Sequence, residues 1–275
     1  IRDLYISLQE LVKRKEYILK SIEEQGKLSP ELKRHIEECM DFNTLEDLYL
    51  PYKPKRHTKA QIAKEAGLEP LAEMIMLGQF SNRLSAQRFI NDKIRSIDDA
   101  IQGAQAIISE TVNENEQVRQ SVRSLYKHSA IITSKVVPKI KEEEKAQKYS
   151  NYFDFSEPLN RCSSHRLLAM RRGEREGILH ITIKVDDDEC INRIERLYRN
   201  SPMWNTHSAM PIIKDAFKDS YKRLIKPSME TEFAASSKEN ADIEAIRVFS
   251  ENLRQLLLAA PKKKKKVMGV DPGIR

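Results

Sequence analysis

Glycine is scarce in this chain, with 8 in 275 residues, and tryptophan occurs once. That scarcity argues against a sandwich or barrel of many short strands, whose turns draw heavily on glycine. No apolar run approaches the roughly 18 residues that a bilayer span requires, and no charged start with an apolar core marks a secretory signal. The expectation is a cytoplasmic protein. The cysteines number three, Cys39, Cys162 and Cys190. They are far apart and lack CxxC spacing, which excludes a zinc ribbon or redox pair and leaves reduced thiols. There is no phosphate-cradling glycine loop, no HExxH, no GxSxG and no metal-ligating histidine or cysteine cluster. No cofactor and no complete catalytic site are therefore expected. His57, His165 and His180 stand alone and read as surface or hydrogen-bonded side chains.

What is present suits solvated helices: 40% hydrophobic and 32% charged residues. The net charge of +7 suggests a nucleic-acid partner until it is located, because the lysine run 262–266 supplies five of those charges. Basic runs of this kind also match nuclear-import patches by accident, and the plainer reading is a solvated linker held open by repulsion.

Leu4, Leu8, Leu11, Ile18 and Ile22 fall on one helical face, and Gly26 offers a left-handed stop. This helix starts without an N-cap, so the chain is expected to begin inside an element. Ser29 before Pro30 opens a second helix, with Leu32, Ile36, Cys39 and Met40 as its apolar face. Thr44-Leu45-Glu46-Asp47 has the spacing of a capping box with Thr44 as cap. Pro51 and Pro54 stop that helix and are expected to hold Tyr52 and Lys53 extended. Thr58 caps the next helix, which ends at Gly67, and Glu69-Pro70-Leu71 starts another. Helices are expected over 96–113 and 115–148, the second kinking at Pro138. The aromatics Tyr149, Tyr152, Phe153 and Phe155 read as core, a helix follows Ser163, and 171–177 reads as a charged loop. The β-branched, alternating segment 178–185 is the one clear strand in the body of the chain, and it needs a partner. That partner is expected from outside the chain or from 267–271. Helices resume over 189–198 and 209–226, where Pro227 is expected to break the chain. Ser228 then opens a helix of about 30 residues, roughly 45 Å long, which reads as a strut. Trp204 reads as a core anchor in preference to a base-stacking platform.

Two segments carry chemistry. The stretch 267–273 reads as a buried strand ending at Asp271 and a tight turn, a usable position for a hard-metal ligand. Two-metal nucleases need several converging carboxylates, so Asp271 alone makes no site. The other segment is the elbow Pro51-Tyr52-Lys53-Pro54-Lys55-Arg56-His57, followed by Lys59. Tyr52, Lys53, Lys55, Arg56 and Lys59 are the candidate nucleic-acid contacts: cations meet phosphates while a tyrosine stacks on a base. Prolines and tyrosines in a connector also serve simply to lock helix packing.

The run 44–56, from Thr44 to Arg56, followed by Gly67-Leu68-Glu69-Pro70-Leu71, resembles the signature of the amino-terminal region of Tex, a family of bacterial transcription accessory proteins. The resemblance continues through Glu23-Glu24-Gln25-Gly26-Lys27-Leu28, Ser164-His165-Arg166, Arg172-Gly173-Glu174-Arg175-Glu176-Gly177 and 245–253. It implies a mainly α, multi-helical region over 1–260 with a helix-turn-helix-like subdomain. A basic linker and the first strand of a YqgF, ribonuclease-H-like domain would then occupy 261–275, with Asp271 at the first acidic position. The five lysines of the linker depart from the shorter basic turn of the family. The resemblance further implies binding to RNA, and possibly DNA, mainly through domains beyond this region, and a link to RNA polymerase.

Three functions follow as expectations: a non-enzymatic helical scaffold in a nucleic-acid-binding transcription accessory protein, part of a metal-dependent nuclease or resolvase, or a docking module for the transcription machinery. The scaffold is favoured because a helical chain with one candidate ligand lacks the carboxylates of two-metal chemistry.

Overall fold

In the computed structural model, which describes residues 2–54, 57–259 and 268–269, the capping residues of the sequence lie where helices begin and end. Helix α1 (Arg2–Glu24) stops before Gly26, whose φ is +68°, and α2 (Pro30–Glu38) opens with the Ser29 hydroxyl accepting from the Leu32 amide. Helix α3 (Phe42–Tyr49) starts three residues earlier than the capping-box spacing suggests. Its cap is Asp41, whose carboxylate accepts from both the amide and the hydroxyl of Thr44, at 2.7 and 2.8 Å. A 3₁₀ turn, Leu50–Tyr52, follows. Tyr52 is therefore helical, whereas Lys53, directly before Pro54, is extended as expected.

Thr58 caps α4 (Lys59–Glu65), Gly67 closes it with φ of +81°, and α5 (Glu69–Met76) follows. Ser96 caps α6 (Ile97–Glu114), and Asn115 caps α7 (Glu116–Ser129). The helix expected over 115–148 ends there. β1 (Ile131–Val136) replaces its middle, followed by the short α8 (Glu144–Gln147) and β2 (Asp154–Pro158). Ile131, Ile132, Thr133 and Val136 are β-branched, stiff at χ1 and better suited to a pleated surface. Helix α9 (Ser164–Arg175) continues through most of the segment read as a charged loop, and β3 (Leu179–Lys184) is the anticipated strand. The strand order is β2-β1-β3, so the partner of β3 is β1, inside the chain. The candidate strand 267–271 lies largely outside the described residues.

Helix α10 (Asp187–Leu197) is capped by Asp186, and α11 (Met210–Asp219) leads through a π-helical turn, Ser220–Ile225, into α12 (Lys226–Leu257). The break expected at Pro227 is thus a widening. Proline lacks an N–H and its ring crowds the carbonyl four residues back, and the wider π turn takes up both defects without ending the helix. The strut reading of 228–257 holds, since α12 spans 32 residues.

The chain divides into two compact units, Ile1–Ile132 with Glu157–Asn160 and Thr182–Phe233, and Thr133–Ser156 with Arg161–Ile181 and Ala234–Arg275. In the first, α6 is the central helix, burying Ala100, Ala104, Ile107, Ile108 and Val112 against α4, α5 and α11. Gly103 permits the closest approach: a Cβ there would lie 2.2 Å from Leu68 Cδ1. A satellite core joins Leu11, Ile18 and Ile22 of α1 to Ile36 of α2 and Leu45, Leu48 and Tyr49 of α3. In the second unit, Leu179 packs over Gly173, and the buried Tyr149 bonds Glu176 through its hydroxyl at 3.0 Å. The architecture is mainly α with one small sheet.

Candidate nucleic-acid interface

The elbow leaves the satellite core at Pro51. Tyr52 is half-buried with its ring against that core, and its carbonyl accepts from Gln25 Nε2 at 2.9 Å. Lys53 is the exposed member: its side chain is 54% accessible, and its ammonium lies 3.8 Å from Glu46. That carboxylate is already engaged, because Arg14 holds both its oxygens at 2.5 and 3.0 Å. The hydrogen bonds to Glu46 raise the Arg14 pKa, and the guanidinium also lies over the rings of Tyr17 and Tyr49. Lys53 is therefore a second, weakly held cation beside a neutralised acid, free to trade Glu46 for a phosphate.

Tyr52 and Lys53 line an open groove of about 440 Å³ shared with Lys27 and Lys64. Lys27 follows the left-handed Gly26, and Lys64 lies three residues beyond Gln61, which faces the same groove. Neither lysine stood out in the sequence, where the signal was only that helical spacing. Glu110 and Glu114 also line the groove. Lys59 lies elsewhere: it lines a separate hollow with Ile62, Ala66 and Lys93, on the other side of α4. The structure thus brings Tyr52 and Lys53 together and separates Lys59 from them, while Lys55 and Arg56 lie outside the described residues. His57 has a φ of +47°, a left-handed conformation uncommon for a residue with a Cβ.

Asp271 and the lysine run 262–266 also lie outside the described residues. Among the described residues, no group of three or more His, Cys, Asp or Glu side chains is arranged to hold a metal ion. Within the same residues, no helix is long and apolar enough to cross a membrane. Trp204 is half-buried, edge-on to Phe217 at 6.1 Å, in keeping with an anchor. Cys39, Cys162 and Cys190 are free thiols.

Residues 81–249 match the family described as Tex central region-like. The chain belongs to the Tex family. Over 271 residues it is 40% identical to the transcriptional accessory protein Tex of Neisseria gonorrhoeae, covering 98% of this chain and 36% of that protein. It is 37% identical to the protein tex of Bordetella pertussis, covering 94% of this chain and 34% of the relative. A human relative, S1 RNA-binding domain-containing protein 1, is 30% identical over 290 residues, which is all of this chain and 29% of the human protein. This Tex-family chain therefore spans about a third of the length of the curated relatives it matches.

Proposed function

We propose that this chain is the helical scaffold portion of a nucleic-acid-binding transcription accessory protein, and that its elbow contacts the nucleic-acid backbone. The observation that carries the contact is Lys53, exposed beside a carboxylate that Arg14 already neutralises, on a groove with Lys27 and Lys64. Relatives named for transcription and for an S1 RNA-binding domain supply the class of ligand. Lys55 and Arg56 extend the same basic segment in sequence, and Lys59 adds a cation in the neighbouring hollow. Tyr52 is assigned first to shaping the elbow, with its exposed part offered to a base. The helix-turn-helix-like subdomain, the YqgF strand at 267–271, the RNA polymerase partner and the absence of nuclease activity belong to the same reading.

The chain should bind single-stranded RNA with a steep salt dependence, because each neutralised phosphate releases condensed counterions. Replacing Lys53 and Lys59 with glutamine should lower the salt slope by about 0.7 to 0.9 for each phosphate that is no longer neutralised, with little change in sequence preference. Fluorescence anisotropy at several salt concentrations reads this out. A deletion of 262–266 is the control: if it abolishes binding and the elbow substitutions leave it intact, the elbow is structural.

A protein-docking reading draws on a different observation. Beyond the first unit, α12 leaves Ile243, Ile246, Phe249, Leu256 and Leu257 exposed, each more than half accessible. Apolar exposure on this scale suits a protein surface as its cover. A pull-down of RNA polymerase with wild type and Phe249→Glu tests that arm.

A further inference from the structure

The second unit holds a cleft of about 500 Å³ that the elbow reading does not use. Helix α9 contributes Arg171, Arg172, Glu174 and Arg175 to it, and α12 contributes Lys238 and Asp242. Four cations thus face two carboxylates. Both acids are taken: Asp242 by Lys238 at 2.5 Å, and Glu174 by Arg171 at 2.9 Å. Arg172 and Arg175 are exposed, and neither has an ion pair among the described residues. The acid whose charge Arg172 feels, Glu176, is held by Lys148 at 2.7 Å and by the Tyr149 hydroxyl.

Arg171 is the unusual member. Its side chain is 16% accessible and only Nη1 is hydrogen-bonded, to Glu174. Nε and Nη2 are buried without a partner. Those two nitrogens form one edge of the guanidinium, the edge whose parallel N–H groups match two oxygens of a phosphate. A buried charged donor left unsatisfied is costly, so a ligand that completes it gains more than it would at an exposed arginine. Three arginines within two turns of one helix also suit a ligand that repeats its charge along a strand, as a phosphodiester chain does.

We propose that this cleft is a phosphate-binding site for a nucleic-acid strand, in which the exposed Arg172 and Arg175 take neighbouring phosphates and Arg171 turns its unpartnered Nε–Nη2 edge into the cleft to grip one more. The proposal rests on the nucleic-acid reading above and adds a site in a different unit of the chain.

The test is anisotropy of a labelled single-stranded RNA with the full chain over a salt series. The comparison includes wild type, Arg172→Gln with Arg175→Gln, Arg171→Lys, and Lys53→Gln with Lys59→Gln. The double glutamine variant alters only exposed side chains, so its melting temperature should match wild type while its salt slope falls by about 0.7 for each phosphate that is no longer neutralised. Arg171→Lys keeps the charge but loses the fork, and affinity should fall roughly tenfold, the equivalent of one charged hydrogen bond. Binding that responds to the elbow lysines but not to the arginines overturns the cleft and leaves the elbow standing. The opposite pattern supports the cleft and overturns the elbow. No RNA binding by the wild-type chain overturns both. Polyglutamate that competes as well as unlabelled RNA identifies an acidic protein as the ligand, and also overturns the proposal.

Discussion

Asp47 of α3 and Arg123 of α7 meet as an ion pair at 2.7 Å, with the carboxylate only 3% accessible. The pair is out of hydrogen-bond alignment. The same carboxylate accepts from Arg119 Nε at 2.5 Å, and Arg123 turns its Nε and Nη2 to Glu232 at 2.6 and 3.1 Å. Burial works against the Arg123 charge, yet the hydrogen bonds to Glu232 and the nearby negative charges of Asp47 and Glu232 outweigh it and hold its pKa above the ordinary value.

Asp47→Ala leaves two largely buried guanidiniums without their shared acid. Removal of one partner from a buried network typically costs about 3 to 5 kcal/mol, because the remaining charge stays desolvated. Urea denaturation should show a loss of that order. A loss under about 1 kcal/mol, the range of an exposed pair, would show that the cluster hydrates freely.

Asp47 also marks the limit of what the sequence discloses. Its spacing from Thr44 read as a capping box, because local hydrogen-bond chemistry is visible in four residues. Its real partners, Arg119 and Arg123, come from a distant helix, and no local pattern announces them. The same division runs through the fold. Ser29, Thr58, Ser96, Gly26 and Gly67 were legible because a cap or a left-handed turn is decided within one turn of helix. Strand β1 was missed although Ile131, Ile132, Thr133 and Val136 carry strand chemistry, because the charged stretch 139–148 beyond it reads as a solvated helix. At the candidate site, the basic elbow was legible as composition. The engagement of Glu46 by Arg14, which leaves Lys53 weakly held, depends on tertiary packing of α1 against α3.

Two glycines with the same φ of +68° should respond differently to alanine. A Cβ at Gly26 meets nothing within 4 Å, so Gly26→Ala incurs only the left-handed backbone penalty, about 1 to 2 kcal/mol. At Gly78 the added Cβ would lie 2.2 Å from the carbonyl oxygen of Pro202, which is backbone and cannot rotate away. Gly78→Ala should therefore be the more destabilising of the two by at least about 1 kcal/mol in urea midpoint terms. Equal losses would show that the 202–205 turn yields easily.

Acid should weaken the junction of α10 and the π turn. Burial raises the Asp187 pKa, but bonds from Lys226 Nζ at 2.8 and 2.9 Å and from the Tyr221 hydroxyl at 2.9 Å pull it below the ordinary value on balance. A depressed folded-state pKa stabilises fully above the unfolded pKa of about 3.9, and that contribution is lost as pH falls through the folded value. Asp187→Asn should be less stable than wild type at neutral pH and show a shallower loss below about pH 4. An unchanged acid limb would place the titration elsewhere, for example at Asp219, whose pKa is also lowered, chiefly by Arg223.

Cys190 is fully buried, and burial pushes its thiol up to about 11. Nucleophilic alkylation needs the thiolate, so iodoacetamide near pH 8 should leave Cys190 unmodified in the native chain and label it after unfolding. Peptide mass spectrometry reads out each thiol separately. Rapid native labelling of Cys190 would mean that the packing between α10 and the π turn opens readily.

Tyr52→Ala separates shape from contact at the elbow. The ring packs on the core of α1, α2 and α3, and the residue closes the 3₁₀ turn that aims Lys53 outward. Truncation removes partly buried apolar surface, so thermal or urea unfolding should show a loss of about 1 to 3 kcal/mol. A tyrosine releases no counterions, so the salt slope of RNA binding should match wild type, in contrast to Lys53→Gln. Stacking of the exposed edge on a base would instead appear as an affinity loss of about 1 to 3 kcal/mol with the fold intact. Tyr52→Phe, which keeps the ring and drops the hydroxyl, should retain both stability and binding on either account. A stable Tyr52→Ala variant with a wild-type salt slope and unchanged affinity would show that the ring neither braces the elbow nor meets a base. In that case Pro51 and Pro54 alone set its course.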